Sequence, residues 1–286
     1  MQALMNASSM RSFFEHRDGY SLTGTTVIAD GTPFETLSID DIPAEDPNII
    51  APTSKDCNNL QRLRIKNTSG TSPDDIVTLI NRCRFLRELS ISYSMLSDDL
   101  LFALSTEEHC HLETVRIEAQ PDSKPLPRIT DEAWFALETH SPQINVVLTS
   151  YLSDEDDCDP LLATYVPITH LYFGGEIPAP VVHRIGDNCP RLVELVVGSY
   201  ESDVIDADLI SAANGCPRLS TVGLGHCEIT CSGLVDFVSR CRERLRVLYV
   251  WETSLIEDCE LGIAETAAEI SRLLGRPWVP EYVPPW

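Results

Sequence analysis

The 286 residues carry 44 acidic against 21 basic side chains, a formal charge of −23, and 43% of them are hydrophobic. That apolar share supports a packed core and argues against wholesale disorder. The negative field repels phosphate backbones and anionic lipid surfaces, so neither nucleic acid nor membrane is an expected partner.

No run approaches the roughly 18 apolar residues that a membrane helix needs, and the first residues lack the basic-then-apolar order of a secretory leader. Residues 1–33 form an N-terminal segment, expected to be a partial or degenerate first repeat. From there a short sentence recurs. Cys57-Asn-Asn-Leu60-Gln-Arg-Leu63-Arg-Ile65 returns as Cys83-Arg-Phe-Leu86-Arg-Glu-Leu89-Ser-Ile91, as Cys189-Pro-Arg-Leu192-Val-Glu-Leu195-Val-Val197, and as Cys216-Pro-Arg-Leu219-Ser-Thr-Val222-Gly-Leu224. Further copies start at Leu112 and Leu245, and weaker ones at Phe34, Ile144 and Ile168 bring the number to nine, with most intervals between 24 and 27 residues and one of 32. That period is the signature of leucine-rich repeats. The expected fold is therefore an α/β leucine-rich-repeat solenoid over 34–257. Short parallel strands line its concave side, and helices return the chain on the outside.

The returning helices are expected at Pro73 to Cys83, Ser97 to Glu108, Thr130 to Thr139, Asp206 to Asn214 and Thr230 to Arg240. Ser72 with Asp74 and Asp75 suits an N-cap and first turn. A last helix is expected over 258–274, followed by a proline- and aromatic-rich tail, 275–286. Gly275 is a natural stop and Pro277 prevents continuation.

Cys57, Cys83, Cys189, Cys216 and Cys241 share one position, where helix turns into strand, and behave there as small buried hydrophobes. Ten cysteines placed in this way read as reduced structural thiols rather than as a disulfide scaffold, which points to the cytosol or nucleus. His109-Cys110-His111 and His226-Cys227 with Cys231 look metal-like, but neither supplies four ligands at a zinc spacing, so no metal and no cofactor is expected. No nucleophile–base set stands apart from the repeat framework. Binding, not catalysis, is the expected activity. Asp154 to Asp159 packs five acids into six residues; it is either a solvated loop or a contact for a basic patch.

Within each strand motif, the residue between the second and third core positions should face the concave surface. These are Ser38, Arg64, Ser90, Arg116, Leu148, Tyr172, Val196, Gly223 and Tyr249, with Trp251 on the same face as Tyr249. The first four are polar and the rest apolar, aromatic or glycine, so the carboxyl-terminal half is the expected docking surface. The tail adds Trp278, Tyr282, Pro284, Pro285 and Trp286. Trp278 could equally cap the last repeat, whereas Trp286, at the extreme end, is better placed to enter a partner. Candidate partner-binding residues are thus Trp286, Pro285, Pro284, Tyr282, Trp278, Tyr249, Trp251, Tyr172, Val196 and Leu148.

Several stretches are more specific than the repeat: Ile39-Asp-Asp-Ile-Pro-Ala-Glu-Asp-Pro47, Leu96-Ser-Asp-Asp-Leu100, Thr169-His-Leu-Tyr-Phe-Gly174, and Leu274-Gly-Arg-Pro-Trp278-Val-Pro280 onward to Trp286. From Leu37 to Trp286 the chain resembles the F-box/leucine-rich-repeat family in its cryptochrome-binding subgroup. The resemblance implies the substrate receptor of a cullin–RING ubiquitin ligase. It would grip a cryptochrome-like flavoprotein with its carboxyl-terminal repeats and place Trp286 in the flavin pocket, serving circadian regulation in nucleus and cytoplasm. The sequence departs from the family at the amino end. Residues 1–33 hold no F-box, so a Skp-type adaptor and cullin are expected as partners only with an F-box upstream. The alternative is a binding scaffold or decoy that delivers no ubiquitin.

Overall fold

The computed structural model describes residues 36–40, 57–66, 72–200, 204–258 and 261–280. Each strand motif forms a strand. These are β1 (Thr36–Asp40), β2 (Arg62–Lys66), β3 (Glu88–Ser92), β4 (Thr114–Ala119), β5 (Asn145–Ser150), β6 (Ile168–Ile177), β7 (Glu194–Tyr200) and β8 (Thr221–Gly225), with β9 (Glu228–Thr230), β10 (Val247–Trp251) and β11 (Ser254–Ile256) completing the set. Nine of them make one sheet in the order β1-β2-β3-β4-β5-β6-β7-β8-β10, every neighbour parallel. β9 and β11 pair beside it. Parallel pairing in strict chain order requires a crossover after every strand, always on the same side. The chain is a leucine-rich-repeat solenoid.

Among the described residues the crossovers after β2 carry helices: α1 (Pro73–Ile80), α2 (Asp98–Leu104), α3 (Asp131–His140), α4 (Glu155–Cys158), α5 (Ala179–His183), α6 (Ile185–Asn188), α7 (Asp206–Gly215) and α8 (Cys231–Cys241). Their starts follow local chemistry. Ser72 and Asp75 form a reciprocal capping box, and Ser97, Thr130 and Thr230 accept the amides of Leu100, Ala133 and Gly233. Each such cap is worth about 1 kcal/mol. A second device ties one turn to the next. Asp98 accepts both the amide and the hydroxyl of Thr130, at 2.9 and 3.0 Å, and Asp206 does the same for Thr230, at 3.0 and 2.5 Å. Asp258 likewise takes the amide and hydroxyl of Ser232. That use places Asp258 ahead of the last helix, α9, which runs Ile263–Leu274 and starts later than its sequence pattern predicts.

The core is a stack of side-chain rows. Leu63, Leu89, Val115 and Val146 make one, and Ile65, Ile91, Ile117 and Leu148 the next. Leu171, Leu195, Val222 and Leu248, then Phe173, Val197, Leu224 and Val250, continue beyond β6, and all of these are buried. The cysteines that precede the strands are buried as well. All nine described thiols are free. Burial lifts Cys158 and Cys241 to about 11 and Cys189, Cys216 and Cys227 to about 12. Cys83 rises further, first through its contact with Cys57 and then through burial.

A solenoid has two open ends. Here the carboxyl-terminal end is closed by α9 and the residues after it. Gly275 takes the left-handed conformation (φ 66°), its amide returns to Arg272, and the Arg276 amide bonds the Ser271 carbonyl at 3.1 Å. This is a Schellman ending, which favours a residue without a Cβ at the turn. The reversal drops Trp278 onto the last repeat.

Candidate binding surface on the concave face

Arg62 to Trp251 present alternate side chains of the sheet to the concave side, since neighbours on a strand point to opposite faces. The registers divide this surface into rows. One row runs Ser38, Arg64, Ser90, Arg116, Val147, His170, Glu194, Thr221, Val247. A second runs Glu118, Thr149, Tyr172, Val196, Gly223, Tyr249. The polar and apolar stretches expected from the sequence both exist, but they lie in different rows. They are offset because β5 pairs with β6 one core position along, Leu148 with Leu171, the register slipping between Val146 and Val147.

Leu148 is the correction that follows. It pairs with Ile117 and Leu171, is 2% exposed, and belongs to the core. The concave neighbours are Val147 and Thr149 instead. In β5 the first and second core residues are Ile144 and Val146, one residue closer than elsewhere, and a one-residue slip exchanges the two faces of a strand.

Tyr172 stands half-buried at the centre, hydrogen-bonded to Glu194. Burial raises the Glu194 carboxyl above its ordinary range, with the Tyr172 hydroxyl opposing the rise. Burial also raises the Tyr172 phenol, and the Glu194 charge adds to that. The Thr169 hydroxyl donates to the Val146 carbonyl at 3.0 Å, so it accepts from Nδ1–H of His170 at 2.9 Å. This places the lone pair of His170 on Nε2. Burial first, and then the nearby Arg116 guanidinium, lower the His170 pKa, keeping the ring neutral. The surface thus offers an acceptor nitrogen and a phenol–carboxyl pair beside the cation of Arg116.

Trp251 is half-buried across β8. A Cβ at Gly225 would lie 2.3 Å from its ring, and one at Gly223 would lie 3.1 Å away. Two glycines on the neighbouring strand therefore make a flat bed for the indole. Tyr151 lies in the same manner over Gly174, where a Cβ would sit 2.4 Å from its ring. Val196, 8% exposed, lies between the Tyr172 and Gly223 positions. Tyr249, Trp251, Tyr172 and Val196 are thus brought together on one surface, already packed in place. His170, Glu194 and Tyr151 belong to that surface too, and the repeat motif does not single them out.

Trp278 is 7% exposed and its indole N–H donates to the Leu248 carbonyl at 3.0 Å. Its amide donates to Ser271 Oγ at 2.9 Å. It closes the core and is not offered to a partner, a correction to its place among the binding candidates. Because Leu248 is in β10, this contact fastens the tail to the strand that carries Tyr249 and Trp251. Tyr282, Pro284, Pro285 and Trp286 lie outside the described residues.

The metal-like histidines act in framing the repeats. His109 bonds the Ile80 carbonyl at 2.9 Å and Thr106 Oγ1 at 2.8 Å, and His140 Nε2 bonds the His109 carbonyl at 3.2 Å. His226 pairs with Glu252 at 2.9 Å. Among the described residues no group of three or more His, Cys, Asp or Glu side chains is placed to hold a metal. None of their helices is long and apolar enough to cross a membrane. The acidic run forms α4. Lys124 pairs with Asp154 and Asp157, Arg184 pairs with Asp159, and Glu155 and Asp156 are exposed.

The Glu194 environment predicts a pH dependence. Its folded pKa lies above the unfolded value, about 4.3 for glutamate. The cost of the buried carboxylate is absent below the unfolded value, grows as pH rises between the two, and is complete above the folded value. Glu194→Gln is expected to remove that step and to raise stability at pH 7 relative to pH 4. Urea midpoints of both proteins over this range provide the check, and parallel curves would contradict it.

The chain is 36% identical over 265 residues to F-box/LRR-repeat protein 21 of Ovis aries, and 35% identical over 279 residues to the Bos taurus protein of the same name. The matches cover 92% and 96% of this chain but 61% and 64% of those relatives, so the chain spans less than two thirds of their length. No family model matches. Among solved structures, similarity is found to the Rad7–Elc1 complex of yeast (TM-score 0.39, 14% identity, 82% of this chain and 69% of that one). An internalin of Listeria monocytogenes is also similar (TM-score 0.37, 13% identity, 87% and 72%). With its repeats in register and its sequence shared with these relatives along almost the whole of its own length, the chain is similar to proteins of the F-box/leucine-rich-repeat family.

Proposed function

We propose that this chain is the substrate-recognition part of a cullin–RING ubiquitin ligase. It holds a cryptochrome-like flavoprotein against the carboxyl-terminal half of its concave face, marks it for ubiquitination, and so acts in circadian regulation. The observation that carries the reading is the aromatic surface of Tyr172, Val196, Tyr249 and Trp251, with Trp251 laid on two glycines and the tail fastened to the strand beside it. Rigid aromatic side chains lose little entropy on binding and supply most of the energy at protein interfaces. The family relationship supports a receptor role. The nine free thiols support nucleus and cytoplasm as the compartments.

In this reading Trp286 enters the partner's flavin pocket, and the prolines before it limit the freedom lost on binding. Deleting Trp286 is expected to weaken the complex by at least about 30-fold, the effect of a roughly 2 kcal/mol hot spot. Free flavin should compete with the tail. Calorimetry with a cryptochrome photolyase-homology region checks both, and equal affinity with and without Trp286 would remove the tail from the mechanism. Co-purification of a Skp-type adaptor and cullin with the longest natural transcript product tests delivery.

A further inference from the structure

On the helical side of the solenoid, away from the concave face, a cleft of about 470 Å³ opens between α3 and the segment 164–167. We propose that it binds an extended segment of another protein bearing an arginine between apolar residues. One wall is a single face of α3, with Asp131, Phe135 and Glu138 at positions i, i+4 and i+7. The other is built from Tyr165, Pro167 and Pro190. Phe135 is 71% exposed and Tyr165 43%, although phenylalanines at the strand-facing positions of this fold are buried. The Tyr165 hydroxyl donates to the Ile129 carbonyl at 3.1 Å, fixing the tilt of its ring. The cleft is thus lined by two exposed aromatic groups and two prolines.

Its charge selects the occupant. Arg191 is committed within the wall, to Glu138 at 2.5 Å and to the carbonyls of Pro142 and Ile144 at 3.4 and 3.3 Å. Asp131 and Glu132 remain, and neither is paired with a cation among the described residues. An anionic rim over aromatic faces complements a guanidinium, which stacks on the rings while it pairs with carboxylates. Pro167 and Pro190 have no amide to donate, so recognition falls to side chains rather than to strand addition. The site shares no residue with the concave surface, and either proposal can fail without the other.

The test uses the full chain, isotopically labelled, titrated with the blocked peptide acetyl-Leu-Arg-Pro-Leu-amide and with its citrulline counterpart, which keeps shape but not charge. Amide shifts confined to 131–138, 164–167 and 190–191 are expected for the arginine peptide, with about tenfold weaker binding of the citrulline peptide. The double variant D131N/E132Q should bind both equally. Phe135→Ala, an exposed position whose replacement leaves the fold visible in the same spectra, should weaken the arginine peptide by about tenfold. Equal affinity for the two peptides, shifts centred elsewhere, or full binding by Phe135→Ala would each overturn the proposal.

Discussion

Trp278→Ala is expected to destabilise the chain by roughly 3–5 kcal/mol, the usual cost of truncating a buried tryptophan. In a chain of this size that lowers Tm by about 6–20 °C. The replacement removes a large buried side chain at the open end of the core and leaves the Leu248 carbonyl without its 3.0 Å donor. In a solenoid the loss is felt first by the neighbouring turn, since each repeat is supported only by those beside it. Hydrogen exchange should therefore accelerate in α9 and β10 before it changes in β3 and β4. Trp278→Phe, which keeps most of the packing but not the hydrogen bond, should recover more than half of the loss. An unchanged melting curve for Trp278→Ala would mean that this side chain is held for a partner and not for the fold.

Replacing Tyr172 and Trp251 together by alanine is expected to weaken binding of the cryptochrome-like partner proposed above by about 100-fold or more. Single hot-spot aromatics contribute roughly 2–4 kcal/mol, and neighbouring ones add incompletely. The two side chains act differently. Trp251 is already fixed on Gly223 and Gly225, so its contribution is a preformed apolar plate. Tyr172 is hydrogen-bonded to Glu194. Tyr172→Phe separates the parts, because it keeps the ring and releases the carboxyl. Binding measured by interferometry on the single and double variants distinguishes these contributions, and a double variant that binds like the parent would place the docking surface elsewhere.

The solenoid was legible in the sequence because its physics is repetitive. An L-x-x-L-x-L segment about every 26 residues allows one stacking solution, and Ser72, Ser97, Thr130 and Thr230 mark helix starts by their own hydrogen bonding. The frame of β5 was not legible. Val146, Val147 and Leu148 are all apolar, so one frame turns in Val146 and Leu148 and the other Val147, and only the pairing with Ile117 and Leu171 decides. That single ambiguity misplaced Leu148 and hid Val147 and Thr149. It also hid that Arg116 and His170 share one row, with Val147 between them. Trp278 was ambiguous for another reason. A tryptophan near a chain end serves a cap or a contact equally well, and the choice depends on where the Gly275 turn directs the chain.

The thiols at the helix-to-strand turns have a use beyond packing. Cys57, Cys83, Cys189, Cys216 and Cys241 are buried at the equivalent position of five repeats along the axis, and the raised thiol pKa values among them make attack slow until water enters. Each becomes reactive only when its own turn opens. Short alkylation pulses read by mass spectrometry would therefore time-stamp the unravelling of the molecule from place to place. The chain carries its own row of clocks, and differences between them would give the coupling from one turn to the next.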